Sequence, residues 1–304
     1  MKQVVKISLV VVLTGLWGCS SKSVDVYSDF ASAGHQYAQS LNGVFEVAKS
    51  SAIDRASTDL INLNAAANRD DSGFANQQRQ RLAEVTQYDR KRIEAFALMQ
   101  SHVQALSRYF QQLDELSKTR YVAEVGLALK QTAQTIQTLS QQLAGAGFAM
   151  NAAQQQAIGQ TNQYRIGTRQ RATLKRRIRS DQAILQIALN THEILLGIIA
   201  DDLAHDIAVL TEQQNEWLIN RPLISAQPLR SDPVQMTQWI ENRRRLLINE
   251  SNALTMIEAS RKSAQTLNGL LREMVSNERN IAKNIELFRA ELDSLTAISH
   301  TLTY

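Results

Sequence analysis

Apolar residues recur alternately three and four positions apart along most of this chain. From Met236 the series runs Met236, Trp239, Arg243, Leu246, Glu250, Ala253, Ile257, Ser260, Ala264, Leu267, Leu271, Met274, Glu278, Ile281, Ile285, Phe288, Leu292, Leu295. Only Arg243, Glu250, Ser260 and Glu278 interrupt it. A period of 3.5 residues held that long is a coiled-coil seam, and it predicts one helix from Pro233 to about His300. At about 1.5 Å per residue such a helix is on the order of 100 Å long, so the rest of the chain must supply partner helices along it.

Similar stripes precede it. Tyr27, Phe30, Gly34, Tyr37, Leu41, Val44 and Ala48 predict a first helix over 25–66, closed by the polar run Asn68-Arg69-Asp70-Asp71-Ser72-Gly73. Leu82, Val85, Phe96, Met99, Val103, Leu106, Phe110 and Leu113 predict a second over 77–116. A third carries Val122, Val125, Leu129, Thr132, Ile136, Leu139 and Leu143, out of phase with the second, which places a turn or a stutter at 117–120. The Gly-, Gln- and Ala-rich stretch 143–168 reads as a frayed end and polar connector. A fourth helix is expected over 165–220, its middle, Ile194 to Ala200, apolar nearly all round and therefore buried by several neighbours.

Breakers are confined to one place. All three prolines, Pro222, Pro228 and Pro233, fall in the linker 221–232 or at its edge, and no segment alternates in the manner of a strand. The fold expected is all-α: an elongated antiparallel helical bundle or coiled coil with very long helices, forming a single domain over 20–304.

The first 19 residues follow a different pattern. Lys2 and Lys6 precede an apolar run from Ile7 to Leu13 that is too short to span a bilayer, and Leu16-Trp17-Gly18-Cys19 follows. This segment resembles that of bacterial prolipoproteins, with Leu16 and Gly18 at lipobox positions and Cys19, the only cysteine, at the position that is lipidated and becomes the mature N-terminus. The resemblance implies a membrane anchor through Cys19. Ser20, where an Asp favours inner-membrane retention, implies the outer membrane. Several buried acyl chains, at about 0.8 kcal/mol per CH₂, make such an anchor stable.

Charge then constrains the pairing of helices. Removing Lys2 and Lys6 from the 33 basic side chains leaves 31 against 29 acidic, a net charge of +2, which names no partner. Locally the imbalance is strong. Arg165, Arg169, Arg171, Lys175, Arg176, Arg177 and Arg179 crowd the start of the fourth helix, and only acids follow as far as Glu216. Folding the fourth and fifth helices together through the linker, with Asp232 capping Pro233, and pairing Asn220 with Asp232 offsets both blocks. Arg176 and Arg179 then lie near Ser276 and Glu273, Glu193 nears Arg261 and Lys262, and Asp206 and Glu212 flank Arg243-Arg244-Arg245. The alternative is a patch of Arg165, Arg169, Lys175, Arg176 and Arg179 for an anionic envelope polymer or lipid.

Candidate chemistry is sparse. His192, on the apolar stripe, is expected to be a core histidine bonded to a neighbouring helix. Asp202 and His205 have the spacing of half a di-iron site, but no other histidine has an acid three residues earlier, so no metal or cofactor is expected. No phosphate loop or catalytic triad is recognisable. The linker is the better candidate: Trp217, Leu223, Ile224, Leu229 and Trp239 suit a partner contact, unless the loop folds back to plug the bundle end. The function expected is that of a non-enzymatic scaffold, spacer or docking protein, lipid-anchored in the periplasm and bound to another envelope protein. A membrane-active bundle is the alternative, and a metal-dependent enzyme the remote one. Seams on every helix suit closure within one chain or pairing with a second copy, and nucleic acid is not an expected partner.

Overall fold

The computed structural model describes residues 18–66, 73–118, 123–143, 150–161, 174–224, 232–276 and 280–302, and among them there is no strand. Eight α-helices form the bundle: α1 (Gly18–Ala66), α2 (Phe74–Lys118), α3 (Ala123–Gln142), α4 (Ala152–Thr161), α5 (Leu174–Gln214), α6 (Arg221–Ile224), α7 (Pro233–Ser276) and α8 (Ile281–Thr301). A π-helical turn, Asn215–Asn220, joins α5 to α6.

The four long helices have 41 to 49 residues, roughly 60 to 75 Å each. Side-chain bonds give their directions. Tyr37, Arg55 and Asp59 of α1 meet His192, Asp206 and Gln213 of α5, so these two helices run parallel. Ser28 and His35 meet Asp114 and Ser107, so α2 runs against α1. Trp239 meets Ile219 and Arg179 meets Val275, so α7 runs against α5.

The single helix predicted over 233–300 is two helices. α7 stops at Ser276, and α8 folds back along it, with Lys262 paired to Glu291 at 2.8 Å and Asn252 bonded to Thr301. The seam itself is real: Ile281, Ile285, Phe288, Leu292 and Leu295 are all buried, as are Ala253, Ala264, Leu267, Leu271 and Met274. Its phase simply carries across the polar sequence Ser276-Asn277-Glu278-Arg279-Asn280, which has neither Gly nor Pro to mark a turn. The rod-length helix is thereby exchanged for a second layer, since α8 packs on both α1 and α7.

Other boundaries also moved. α2 and α3 are separate helices and not one stuttered helix. Within the expected connector lies α4, opened by a reciprocal box in which Gln154 N–H donates to Asn151 Oδ1 and Asn151 N–H donates to Gln154 Oε1, both at 2.9 Å. Ile158 seats it in the core. Around Ile194 the fourth helix is not enclosed: Leu195, Leu196, Ile199 and Ala200 are buried, but Ile194 is exposed and Ile198 half-buried.

Packing is dense where six helices meet. Phe30 and Phe110 contact edge to face at 5.8 Å, and a Cβ on Gly34 would come within 2.5 Å of the Phe110 ring, so only glycine lets α1 and α2 approach this closely. On its other side, Gly43 holds Ser299 of α8 equally close. Buried residues of α1 end at Ala52, those of α2 begin at Phe96 and those of α7 at Leu246. Beyond these levels only four long helices continue, with few apolar contacts between them.

Candidate functional site

Three of the buried polar groups of α5 face its neighbours α1 and α2. Asp181, His192 and Asp206 occupy seam positions eleven and fourteen residues apart, so all three point from α5 toward α1 and α2. Lowest is Asp181, which accepts from Arg177 Nε at 2.6 Å and Tyr109 Oη at 3.1 Å. Burial raises its carboxyl pKa, against the pull of Arg177, Ser180 and Tyr109.

At mid-height His192 Nδ1 is hydrogen-bonded to Tyr37 Oη at 3.0 Å, the neighbouring-helix bond expected for it. Its ring stands edge-on to His102, with centroids 4.8 Å apart, and His102 Nδ1 bonds Thr135 Oγ1 at 2.8 Å. Burial pushes His102 down to about 4, with the Ala188 carbonyl pulling weakly the other way. Burial also holds His192 well below the ordinary range, and His102 lowers it further. Both rings are therefore neutral at pH 7, and Tyr37, raised by burial and by Glu193, keeps its proton.

Highest is Asp206, whose side chain is 2% exposed and lies between Arg92 of α2 at 2.8 Å and Arg55 of α1 at 3.4 Å. Burial disfavours the charged Arg92, but Asp206 and Asp202 outweigh it and raise its pKa. Sequence pairing had assigned Asp206 to the Arg243 cluster; the structure gives it to α1 and α2. Asp202 is exposed and 3.7 Å from Arg92, His205 is exposed, and the described residues bring no group of three His, Cys, Asp or Glu side chains together for a metal.

Above Asp206 the bundle opens. A cleft of about 330 Å³ lies among α1, α5 and α7, walled by Thr58, Ile61, Trp217 and Leu218 and rimmed by Gln213, Arg245 and Asn249. The π-helical turn shapes it. Arg221 N–H reaches back five residues to the Glu216 carbonyl, and the extra residue in that turn shifts the phase by which Trp217 meets the cleft. Trp239 Nε1 donates to the Ile219 carbonyl at 3.0 Å, tying the turn to α7, and the Arg221 guanidinium stacks 3.9 Å above the Trp217 ring. A second cleft, about 340 Å³ and more polar, separates α1 from α2 around Asp59, Tyr88 and Asp89.

The linker candidates divide. Trp217 is 43% exposed on the cleft, Leu223 and Ile224 project from α6 at 59% and 77%, and Trp239 is half-buried by its bond to Ile219. Leu229 lies outside the described residues. Asp232 caps α7 as expected, its carboxylate accepting from the Val234 and Gln235 N–H groups. Sequence reading missed Ile61 and Leu63, exposed on α1, and Val234, Met236 and Ile240, exposed on α7. Ile61 and Leu63 carried a signal: they are apolar residues beyond the last predicted seam position, Ala48.

Of the basic block, Arg165 and Arg169 lie outside the described residues. Arg179 donates to the Val275 carbonyl at 3.2 Å, close to its predicted neighbour, and Arg176 is exposed. Lys175 is half-buried. Cys19 falls in the first turn of α1. Because α1 and α5 are parallel, Trp217, Leu223 and Ile224 sit at the far end of the bundle from Cys19. Compared with known protein families, curated proteins and solved structures, the chain matches none.

Proposed function

We propose that this chain is a lipid-anchored helical bundle of the bacterial cell envelope that docks a partner at one end and performs no turnover. The anchor is Cys19, by its lipobox, and Ser20 assigns it to the outer membrane facing the periplasm. One observation carries the docking reading: the described residue nearest the anchor and the apolar cleft at Trp217 stand at opposite ends of helices roughly 70 Å long. Leu223, Ile224, Val234, Met236 and Ile240 are exposed on α6 and the start of α7, at the same end of the bundle as that cleft.

Metabolic labelling of intact cells with an alkynyl fatty acid tests the anchor. The native chain takes up label and sediments with membranes, and Cys19→Ala does neither. Photocrosslinkers at Leu223 and at Leu127, an exposed residue of the six-helix end, test the docking end. An envelope protein captured from Leu223 alone supports the reading. An unlabelled cytosolic chain ends it.

The membrane-active alternative has one observation in its favour. The continuous helical run Leu174–Ile224 is long and apolar enough to cross a bilayer, with a mean hydropathy of 1.6 in its most apolar stretch. That stretch is 61% buried, and the same run carries Asp206 in ion pairs with Arg92 of α2 and Arg55 of α1, so leaving the bundle would break them. Leakage of dye from liposomes on adding the protein would favour this alternative.

A further inference from the structure

In the six-helix end, α8 fills the groove between α1 and α7. It is held to α1 by Arg289 on Asp29, by Gln36 on Asp293 and by the Gly43 contact with Ser299. To α7 it is held by Lys262 on Glu291 and by Asn252 on Thr301. α8 ends at Thr301, but α1 and α7 continue beyond it. Ile61 is eighteen residues past Gly43, five full turns, and Arg245 is seven residues past Asn252, two turns, so each sits on the face its helix turns to α8. The cleft of Ile61, Trp217 and Arg245 therefore lies in the line of α8, in the same groove, where none of the described helices sits.

The cleft also carries charge. Arg245 lines it, enters no ion pair among the described residues and reaches only Asn242, at 3.5 Å. Arg244 is exposed about a third of a turn round the helix, Arg243 lies on the far side, and Glu241 stands one turn from Arg245 on the same face. Asp206, which would have balanced these arginines, is held by Arg55 and Arg92.

We infer that this cleft seats an amphipathic helix of a partner protein, laid end to end with α8, its apolar face on Ile61 and Trp217 and its acidic flank on Arg245 and the neighbouring Arg244. The assignment rests on the docking reading and names the class of partner. An α8-like apolar seam satisfies the groove, because α8 itself uses Ile285, Phe288 and Leu292 against the same two helices. Glutamates beside that seam supply the counter-charge, which sets specificity and association rate more than affinity.

The test uses the full chain carrying Cys19→Ala, so that no acyl group inserts into lipid, and two labelled peptides of 21 residues, the length of α8. Both keep the α8 seam residues; one has glutamate at the flanking positions and the other lysine. In fluorescence anisotropy the glutamate peptide should bind about tenfold more tightly than the lysine peptide. Reversing Arg244 and Arg245 to glutamate should invert that preference, and Ile61→Glu should abolish binding of both. Circular dichroism should be unchanged in both variants, since the altered side chains are exposed.

Absent binding, equal binding of the two peptides, or binding indifferent to Ile61→Glu each overturns the assignment. So does binding to phosphatidylglycerol vesicles that the same substitutions remove while neither peptide binds; that result gives the patch to a lipid surface. A failed peptide test with fatty-acid label still on Cys19 discards the partner class and keeps the docking reading. An unlabelled Cys19 with successful peptide binding discards the lipid anchor and keeps the partner class.

Discussion

The two ends of this bundle use similar helices in opposite ways. In the half containing α3 and α8, seam residues such as Phe30, Tyr37, Phe110, Leu139 and Phe288 are entirely enclosed. In the other half the same α1, α2 and α7 continue for roughly another 20 to 30 Å, yet Ile61, Leu82, Tyr88 and Ile240 face solvent. Composition and the number of neighbours both distinguish the halves: charged residues are denser in the open stretches of α1, α2 and α7, and fewer helices surround them. A helix with two neighbours buries a stripe, and one with three or four buries most of its circumference. Short helices laid into the grooves make one half a core and leave the other a surface with clefts.

Acid should separate the halves most. His102 and His192 have folded-state pKa values depressed below their unfolded value near 6.5, so the unfolded chain binds protons more readily below that pH. Stability is complete above about pH 6.5 and falls as pH drops toward 4, where His102 alone has removed about 3 kcal/mol and His192 adds to the loss. Asp181, raised by burial, opposes this once it protonates. Urea titrations at a series of pH values read the slope, and a flat profile between pH 7 and 4.5 would remove the buried pair from the account.

Truncating an enclosed side chain comes next. Phe110→Ala should cost about 3 to 5 kcal/mol in urea denaturation, since α1 and α2 are held too closely at Gly34 to collapse fully into the space. Asp206→Ala, at the boundary of the two halves, should cost about 2 kcal/mol, less than a fully buried pair because Arg55 keeps 31% of its side chain in water. Hydrogen exchange should show that loss as faster opening of residues 53–60 and 86–92, with protection near Tyr37 retained. Smallest of all, Trp217→Ala should cost about 1 kcal/mol in urea denaturation, since the residue is 43% exposed and its main loss is the Arg221 stack. A loss comparable to that of Phe110→Ala would mean that the open end is core after all, and the comparison would collapse.

Much of the helical face pattern was legible before folding. Phe96, Met99, Val103, Leu106, Phe110 and Leu113, read from spacing alone, are all buried, as are Val125, Leu129, Thr132, Ile136 and Leu139, but Leu82 and Val85 at the start of the α2 stripe are exposed and half-buried. The α7 stripe was less faithful: Met236 lies on it and is exposed, because nothing sits opposite. α4 escaped because Gln and Ala weaken its apolar signal, although the Asn151-to-Gln154 spacing of its capping box was present. Of the candidate site, Trp217, Leu223 and Ile224 were legible as a flanked apolar loop. Ile61 and Arg245 were not, since nothing along the chain places residue 61 beside residue 245.

Periodicity along the chain determined that this protein is helical, where its prolines part the long helices, and which side of each helix is apolar. Those are local properties, written within a few turns of each residue. Packing alone decided that the stripe from Met236 to Leu295 folds back on itself between Ser276 and Asn280, that Asp206 belongs to Arg55 and Arg92, and that among the described residues one groove is filled to Thr301 and left open beyond. A seam keeps its period whether the chain runs straight or doubles back, so the choice falls to contacts between residues hundreds of positions apart.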